Sequence, residues 1–174
     1  MSQMKTELLL GCGNSREKRM WISGQEPKWS NLITIDHDED CNPDFVWDLE
    51  TCPYPFQTNQ FDEVHAYEVL EHTGPQGDYV FFFIQFSELH RILKPNGLLF
   101  ATVPAWNSIW AWGDPSHKRV ISPASLTFLS QEEYTKQVGK TAMSDFREIY
   151  KVDFKTEFAK IEQDTFQFTL RAIK

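Results

Sequence analysis

Cysteine is scarce: Cys12, Cys41 and Cys52 are the only three in 174 residues, and no C-x-x-C spacing joins any pair. An odd, scattered set excludes a disulfide framework and a zinc-finger type of site, so these are expected to be free thiols, and no metal-ligating set is indicated. Long apolar runs are also missing. Nothing approaches the ~18 residues that a membrane span requires. The opening residues Ser2, Gln3, Lys5 and Glu7 are too polar for a signal peptide, so a cytoplasmic protein is expected, with no membrane partner. Positive charge is in short supply, with 17 Lys and Arg against 25 Asp and Glu and a net charge of −8. A nucleic-acid backbone would meet a repulsive mean field. The one small basic cluster, Arg16, Lys18 and Arg19, reads as solvated surface, so a small-molecule substrate is expected and a nucleic acid is not.

What is present is organised around residues 8–36. The run Leu8-Leu9-Leu10 empties into Gly11-Cys12-Gly13-Asn14, and a second run, Leu32-Ile33-Thr34-Ile35, ends in Asp36. A buried strand ending in Gly-X-Gly lets a ligand approach the backbone, because glycine has no Cβ and accepts positive φ. An acid about twenty residues beyond such glycines accepts hydrogen bonds from ribose hydroxyls in dinucleotide folds. A ribose-bearing cofactor is the first expectation. The third glycine of the dinucleotide fingerprint is absent, since its place falls at Arg16, and this argues against nicotinamide or flavin.

Further segments carry a resemblance. Leu8 to Asn14, the strand-end Asp36, Val46-Trp47-Asp48-Leu49, Phe61 to His72, and Leu89-His90-Arg91-Ile92-Leu93-Lys94-Pro95-Asn96-Gly97-Leu98-Leu99 together resemble the ordered motifs of class I S-adenosylmethionine-dependent methyltransferases. The resemblance covers most of the first hundred residues and fades beyond Pro104. It implies an α/β fold: a Rossmann-like, seven-stranded, mostly parallel sheet with an antiparallel C-terminal strand. Length suits one domain over residues 1–174.

Along the chain, strands are expected at Thr6 to Leu10, Asn31 to Asp36, Phe45 to Asp48, Phe61 to Tyr67 and Leu98 to Val103. Gly24 and Pro27 allow at most a short helix over Ser15 to Trp21. The stretch between Asp36 and Asp44 is too short for a helical crossover of a dozen residues. Pro53 and Pro55 make the next connection helix-poor too, so the fold is trimmed of some helices. The clearest helix runs from Asp78 to Leu93, with Phe82, Phe86, Leu89 and Leu93 on one face and Asp78 as cap. Ser122-Pro123 and the Ser130-x-x-Glu133 capping-box pattern start two short helices. Phe146 to Phe154 and Thr165 to Ile173 read as a terminal antiparallel pair. In the latter, Phe166, Phe168, Leu170 and Ala172 alternate with polar residues, so one face of that sheet region is wet. With the first strand entered almost at once, part of one sheet face is expected to stay open to water or to a second subunit of a homo-oligomer.

The resemblance implies S-adenosyl-L-methionine as cofactor and assigns roles. Asp36, with His37 beside it, accepts from the ribose hydroxyls; Asp48 accepts from the adenine amine, with the Leu49 amide nearby. Gly11, Cys12 and Gly13 face the methionine tail through their backbone. Tyr67 and Glu68 lie where the family places the tail's ammonium group and the sulfonium, and Glu71 and His72 begin the next segment. The loop after the fifth strand should hang over the cofactor. There His117 is the candidate base or substrate-orienting group with Asp114 as its orienter, and a histidine merely bonding a loop carbonyl is the competing reading. Trp106, Trp110 and Trp112 either wall a substrate pocket or pack that loop down. His65 and His90 read as structural.

The Asn/Asp-Pro-Pro-aromatic motif of amino-methylating nucleic-acid enzymes is missing, since Tyr67-Glu68-Val69-Leu70 stands in its place; Cys52-Pro53 has neither the order nor the position of a cytosine-C5 nucleophile. The expectation is therefore a methyltransferase acting by in-line transfer on a small molecule or an exposed group. The alternatives are a non-catalytic cofactor-binding subunit that needs a partner, and, further off, a nicotinamide oxidoreductase.

Overall fold

In the computed structural model, which describes residues 4–174, one seven-stranded sheet runs in the order β3-β2-β1-β4-β5-β7-β6. Ser2 and Gln3 of the polar start lie outside the described residues. The strands are β1 (Thr6–Leu10), β2 (Asn31–Asp36), β3 (Phe45–Val46), β4 (Phe61–Tyr67), β5 (Leu93–Pro104), β6 (Asp153–Glu162) and β7 (Thr165–Ile173). The first five pair in parallel, and β7 joins β5 and β6 antiparallel. Parallel pairing aligns the carboxyl ends of β1, β2, β4 and β5, where ligands of open α/β sheets bind. All of β1 beyond Glu7 is an apolar run, as a strand buried on both faces must be.

The two faces are covered differently. On one, Leu8, Leu10, Val64, Ala66, Leu99, Ala101, Val103 and Phe168 meet α1 (Tyr79–Ile92) through Phe82, Phe83, Phe86, Leu89 and Ile92. The short helices α3 (Pro123–Thr127) and α4 (Gln131–Gln137) add Leu126 and Tyr134 to this core. Asp78 caps α1 by accepting from the Phe81 amide at 2.9 Å, and Ser122 caps α3 in a reciprocal box with Ser125. At α4 only half the expected box forms: Ser130 accepts from the Glu133 amide, while the Glu133 carboxylate binds Gln137.

On the other face, among the described residues, no helix packs. Leu9, Tyr67, Leu98 and Phe100 are covered by Met20 and Trp29 from the connection between β1 and β2. The short helix expected over Ser15 to Trp21 does not form. Lys18 and Met20 point inward while Glu17, Arg19 and Trp21 point out, a period of two that belongs to extended chain. The expectation that Lys18 is solvated is overturned with it. Its ammonium is buried and pairs with Glu7 and, at 3.0 Å, with Glu63. Beyond this strap, the sheet is open at β5, β7 and β6, where Trp21, Phe100, Phe158 and Thr169 line a cavity of about 480 Å³.

The penultimate strand also differs from expectation, starting at Asp153 instead of Phe146. Phe146 and Tyr150 are four apart and both point at Phe83, with centroids at 5.1 and 5.0 Å. The Tyr150 amide closes that turn on the Phe146 carbonyl at 2.9 Å. No described helix is long and apolar enough to cross a membrane.

Candidate functional site

A crevice of about 530 Å³ opens at the carboxyl ends of the parallel strands, lined by Gly11, Asp36, His37, Asp48, Leu49, Glu50, Glu68, Val69, His72, Thr73 and Lys118. Its size is that of a small-molecule site. Gly11 forms the floor with φ of +57°. A Cβ there would stand 2.3 Å from Cγ2 of Val69, so only glycine lets the turn approach the β4 end.

Asp36 closes β2, and its carboxylate accepts from the Gly13 amide at 2.8 Å and the Asp38 amide at 3.0 Å. Each oxygen keeps a second lone pair for an incoming hydroxyl. Asp48 uses one oxygen to accept from the Glu50 amide at 2.9 Å. Glu68 follows β4 in the left-handed region at φ of +53°, held there by its amide donating to the Thr102 carbonyl at 2.8 Å.

Of the residues singled out in the sequence, Gly11, Asp36, His37, Asp48, Leu49 and Glu68 meet at this crevice. Cys12 and Tyr67 do not reach it with their side chains, which are part of the second-face cluster. The Tyr67 hydroxyl accepts from the Met20 amide and lies 2.6 Å from Nδ1 of buried His65. His65 Nε2 in turn lies 3.2 Å from Glu63. Burial drives the His65 pKa down to about 4, so the imidazole is neutral there. Burial raises the Glu63 carboxyl, but hydrogen bonds from His65, Lys5 and Lys18 outweigh it and leave the group well below the usual range. His90 is tied into the fold, its Nε2 donating to the Ile173 carbonyl at 2.9 Å.

Glu50, Lys118, Val69 and Thr73 are crevice residues that pattern reading did not find. Glu50 accepts from the Gly74 amide at 2.6 Å and from Lys118 at 2.8 Å, tying the loops after β3 and β5 together. These hydrogen bonds, with Lys118 first, hold its carboxyl below the usual range.

Next to the crevice, one turn of 3-10 helix at Leu70–His72 meets the loop after α2 (Ile109–Gly113). The amides of Lys118 and Arg119 both donate to the Glu71 carbonyl, at 2.8 and 3.0 Å, which fixes the two segments side by side. His72 and His117 rings come edge to face at 4.8 Å. His117 Nδ1 is 2.9 Å from the Trp110 carbonyl, so the loop-carbonyl bond of the competing reading is present, and it leaves Nε2 free. Asp114 is not the expected orienter: its Oδ2 stands 3.8 Å from His117 Nε2, beyond hydrogen-bond reach, while Oδ1 serves the Ser116 amide and hydroxyl. Glu71 is 2 % exposed and neither carboxylate oxygen has a partner. Burial, then the neighbouring Glu68 and Asp114 charges, push its pKa up to about 8. Trp106, Trp110 and Trp112 are all exposed and none lines the crevice; the Trp112 indole donates to the Trp106 carbonyl at 3.0 Å, tying the loop to itself.

The family described as "Methyltransferase domain" matches residues 8–101. Among solved structures, a SAM-dependent methyltransferase from Archaeoglobus fulgidus is 16% identical with a TM-score of 0.60, over 96% of this chain and 86% of that one. A second from Methanosarcina mazei is 13% identical at 0.60, covering 99% and 94%. The N-methyltransferase NodS from Bradyrhizobium japonicum is 15% identical at 0.54, covering 98% and 86%. At these identities the likeness is one of fold. No curated protein matches the sequence.

Proposed function

The chain belongs to the methyltransferase-domain family, which uses S-adenosylmethionine, and from that premise we propose that it is an active methyltransferase whose cofactor lies in the crevice above Gly11. One observation carries the reading: a glycine turn, the strand-end carboxylate Asp36, the carboxylate of Asp48 just past β3 and a left-handed glutamate converge on a single opening of the right size. Strand β3 ends at Val46 and not at Asp48 as expected. The lone pairs present fit the cofactor's donors. Asp36 is assigned to the ribose hydroxyls with His37 beside it, and the unengaged oxygen of Asp48 to the adenine amine, next to Leu49. Gly11, Cys12 and Gly13 act through their backbone. Glu68 supplies negative charge for the ammonium and sulfonium end, a charge-assisted pairing.

When bound, the cofactor supplies an already activated methyl group. What remains for this chain is placement: holding an acceptor lone pair in line and excluding water. His117 is assigned to the acceptor side, because its Nε2 is free and faces the pair Glu71 and His72 at the crevice edge; Asp114, 3.8 Å from that nitrogen, is a neighbouring carboxylate there and not its hydrogen-bonded orienter. The exposed indoles of Trp106, Trp110 and Trp112, on the loop that also carries His117, are assigned to receiving an apolar or cationic acceptor. A net charge of −8 supports a small molecule or an exposed group over a nucleic acid.

The test is release of S-adenosylhomocysteine from the purified chain incubated with S-adenosylmethionine and pooled small-molecule acceptors. Turnover that disappears in Asp36→Ala supports the enzyme. Cofactor binding without turnover for any acceptor would favour the partner-dependent binding subunit instead.

A further inference from the structure

We propose that Glu71, His72 and His117 form a binding site for a divalent transition-metal cation at the acceptor edge of the crevice. Their ligand atoms lie within 4.8 Å of one another, and His72 Nε2 is 3.8 Å from Glu71 Oε1.

Three observations point the same way. A carbonyl can only accept, so the contacts of His72 Nδ1 to the Ser116 carbonyl at 3.2 Å and of His117 Nδ1 to the Trp110 carbonyl at 2.9 Å place the protons on Nδ1. Nε2 is thus the nitrogen of each ring left to bind a metal, and a backbone carbonyl on the other nitrogen is the usual outer support of a metal-bound histidine. Next, Glu71 is buried with both carboxylate oxygens unpartnered, acceptors whose burial is costly until a donor or a cation satisfies them. The nearby ammonium of Lys118 is committed to Glu50. Finally, the molecule contains a contrasting cluster: Glu7, Glu63 and His65 are equally close, but Lys18 and Lys5 already neutralise them. No lysine ammonium or arginine guanidinium pairs with Glu71 among the described residues.

Ligands bound at about 2.1 Å lie about 3–4 Å apart, so a shift of roughly an ångström in these side chains completes the set. Two imidazoles and a carboxylate favour Mn²⁺, Fe²⁺, Co²⁺ or Zn²⁺ over Mg²⁺ and Ca²⁺, which prefer all-oxygen shells. Three ligands leave coordination positions open on the crevice side, where a lone-pair-bearing acceptor could bind. The placement on the acceptor side rests on the proposed methyltransferase reading; metal binding itself does not.

The test uses the full chain, stripped with chelator and titrated with Co²⁺ alone, followed by its visible absorption and by calorimetry. One equivalent should bind in the wild type. His72→Ala and His117→Ala should each weaken binding 10- to 100-fold, and the isosteric Glu71→Gln at least tenfold. All three should keep wild-type circular dichroism and a wild-type urea midpoint, so that lost metal binding is not lost folding. No Co²⁺ binding by the wild type, or binding indifferent to all three substitutions, overturns the site. Metal binding without any affinity for S-adenosylhomocysteine would leave the metal site standing and defeat the proposed function instead.

Discussion

The Gly13 amide donates to Oδ2 of Asp36 at 2.8 Å, so the turn that ends β1 and the carboxylate that ends β2 form one hydrogen-bonded unit. The same carboxylate that is assigned to the ribose also fixes the backbone facing the methionine tail. Losing it would disturb both ends of the cofactor together.

Gly11→Ala should be among the most damaging single changes in the crevice. The new methyl meets Val69 at 2.3 Å in a left-handed backbone. The conformation costs about 1–2 kcal/mol and the overlap about 1–3 kcal/mol more. Chemical denaturation should register the loss, and Val69→Gly on the same chain should recover the overlap part only. Gly13→Ala, where no atom lies within 4 Å of the added Cβ, should lose only the conformational part.

Lys18→Ala should destabilise the fold by about 3–5 kcal/mol, the cost of leaving buried carboxylates without their partner. Glu7 and Glu63 would face each other across the space that its ammonium fills. Lys28→Ala removes a pair that is almost wholly exposed and should leave the urea midpoint unchanged. Equal effects of the two substitutions would show that the strap over the second sheet face does not hold as described.

Stability should fall on acidification between pH 6.5 and about 4. His65 is held neutral in the fold with a pKa of about 4 against 6.5 when exposed. The unfolded chain therefore binds the extra proton first, and stability present above pH 6.5 is lost as pH drops toward 4. The shift corresponds to about 3 kcal/mol over that window. Urea unfolding at pH 7.0, 5.5 and 4.5 measures it, and His65→Gln should flatten the dependence.

Gly11, Asp36 and Asp48 were legible because a glycine turn and strand-end acids are local signals, and parallel pairing then brings their strand ends together whatever the loops do. The convergence of Glu71 and His72 with His117 was not. It depends on two loops pinned through the Glu71 carbonyl, a contact between residues far apart in sequence that no spacing rule encodes. Lys18 misled for a related reason: lysine usually marks a wet surface, and only Glu7 and Glu63 on neighbouring strands make its burial favourable. The start of β6 was displaced because Phe146 and Tyr150 are apolar for the sake of α1, not of the sheet.

The central claim is that the crevice above Gly11 holds the sulfonium nucleoside through Asp36. Isothermal titration of S-adenosylhomocysteine into the wild type and Asp36→Ala tests it most directly. The expected result is one site per chain, weakened by about 1–3 kcal/mol in the variant, the scale of a lost hydrogen bond to a charged group. An identical dissociation constant for both proteins would remove Asp36 from the site, and no binding by the wild type would contradict the account as a whole.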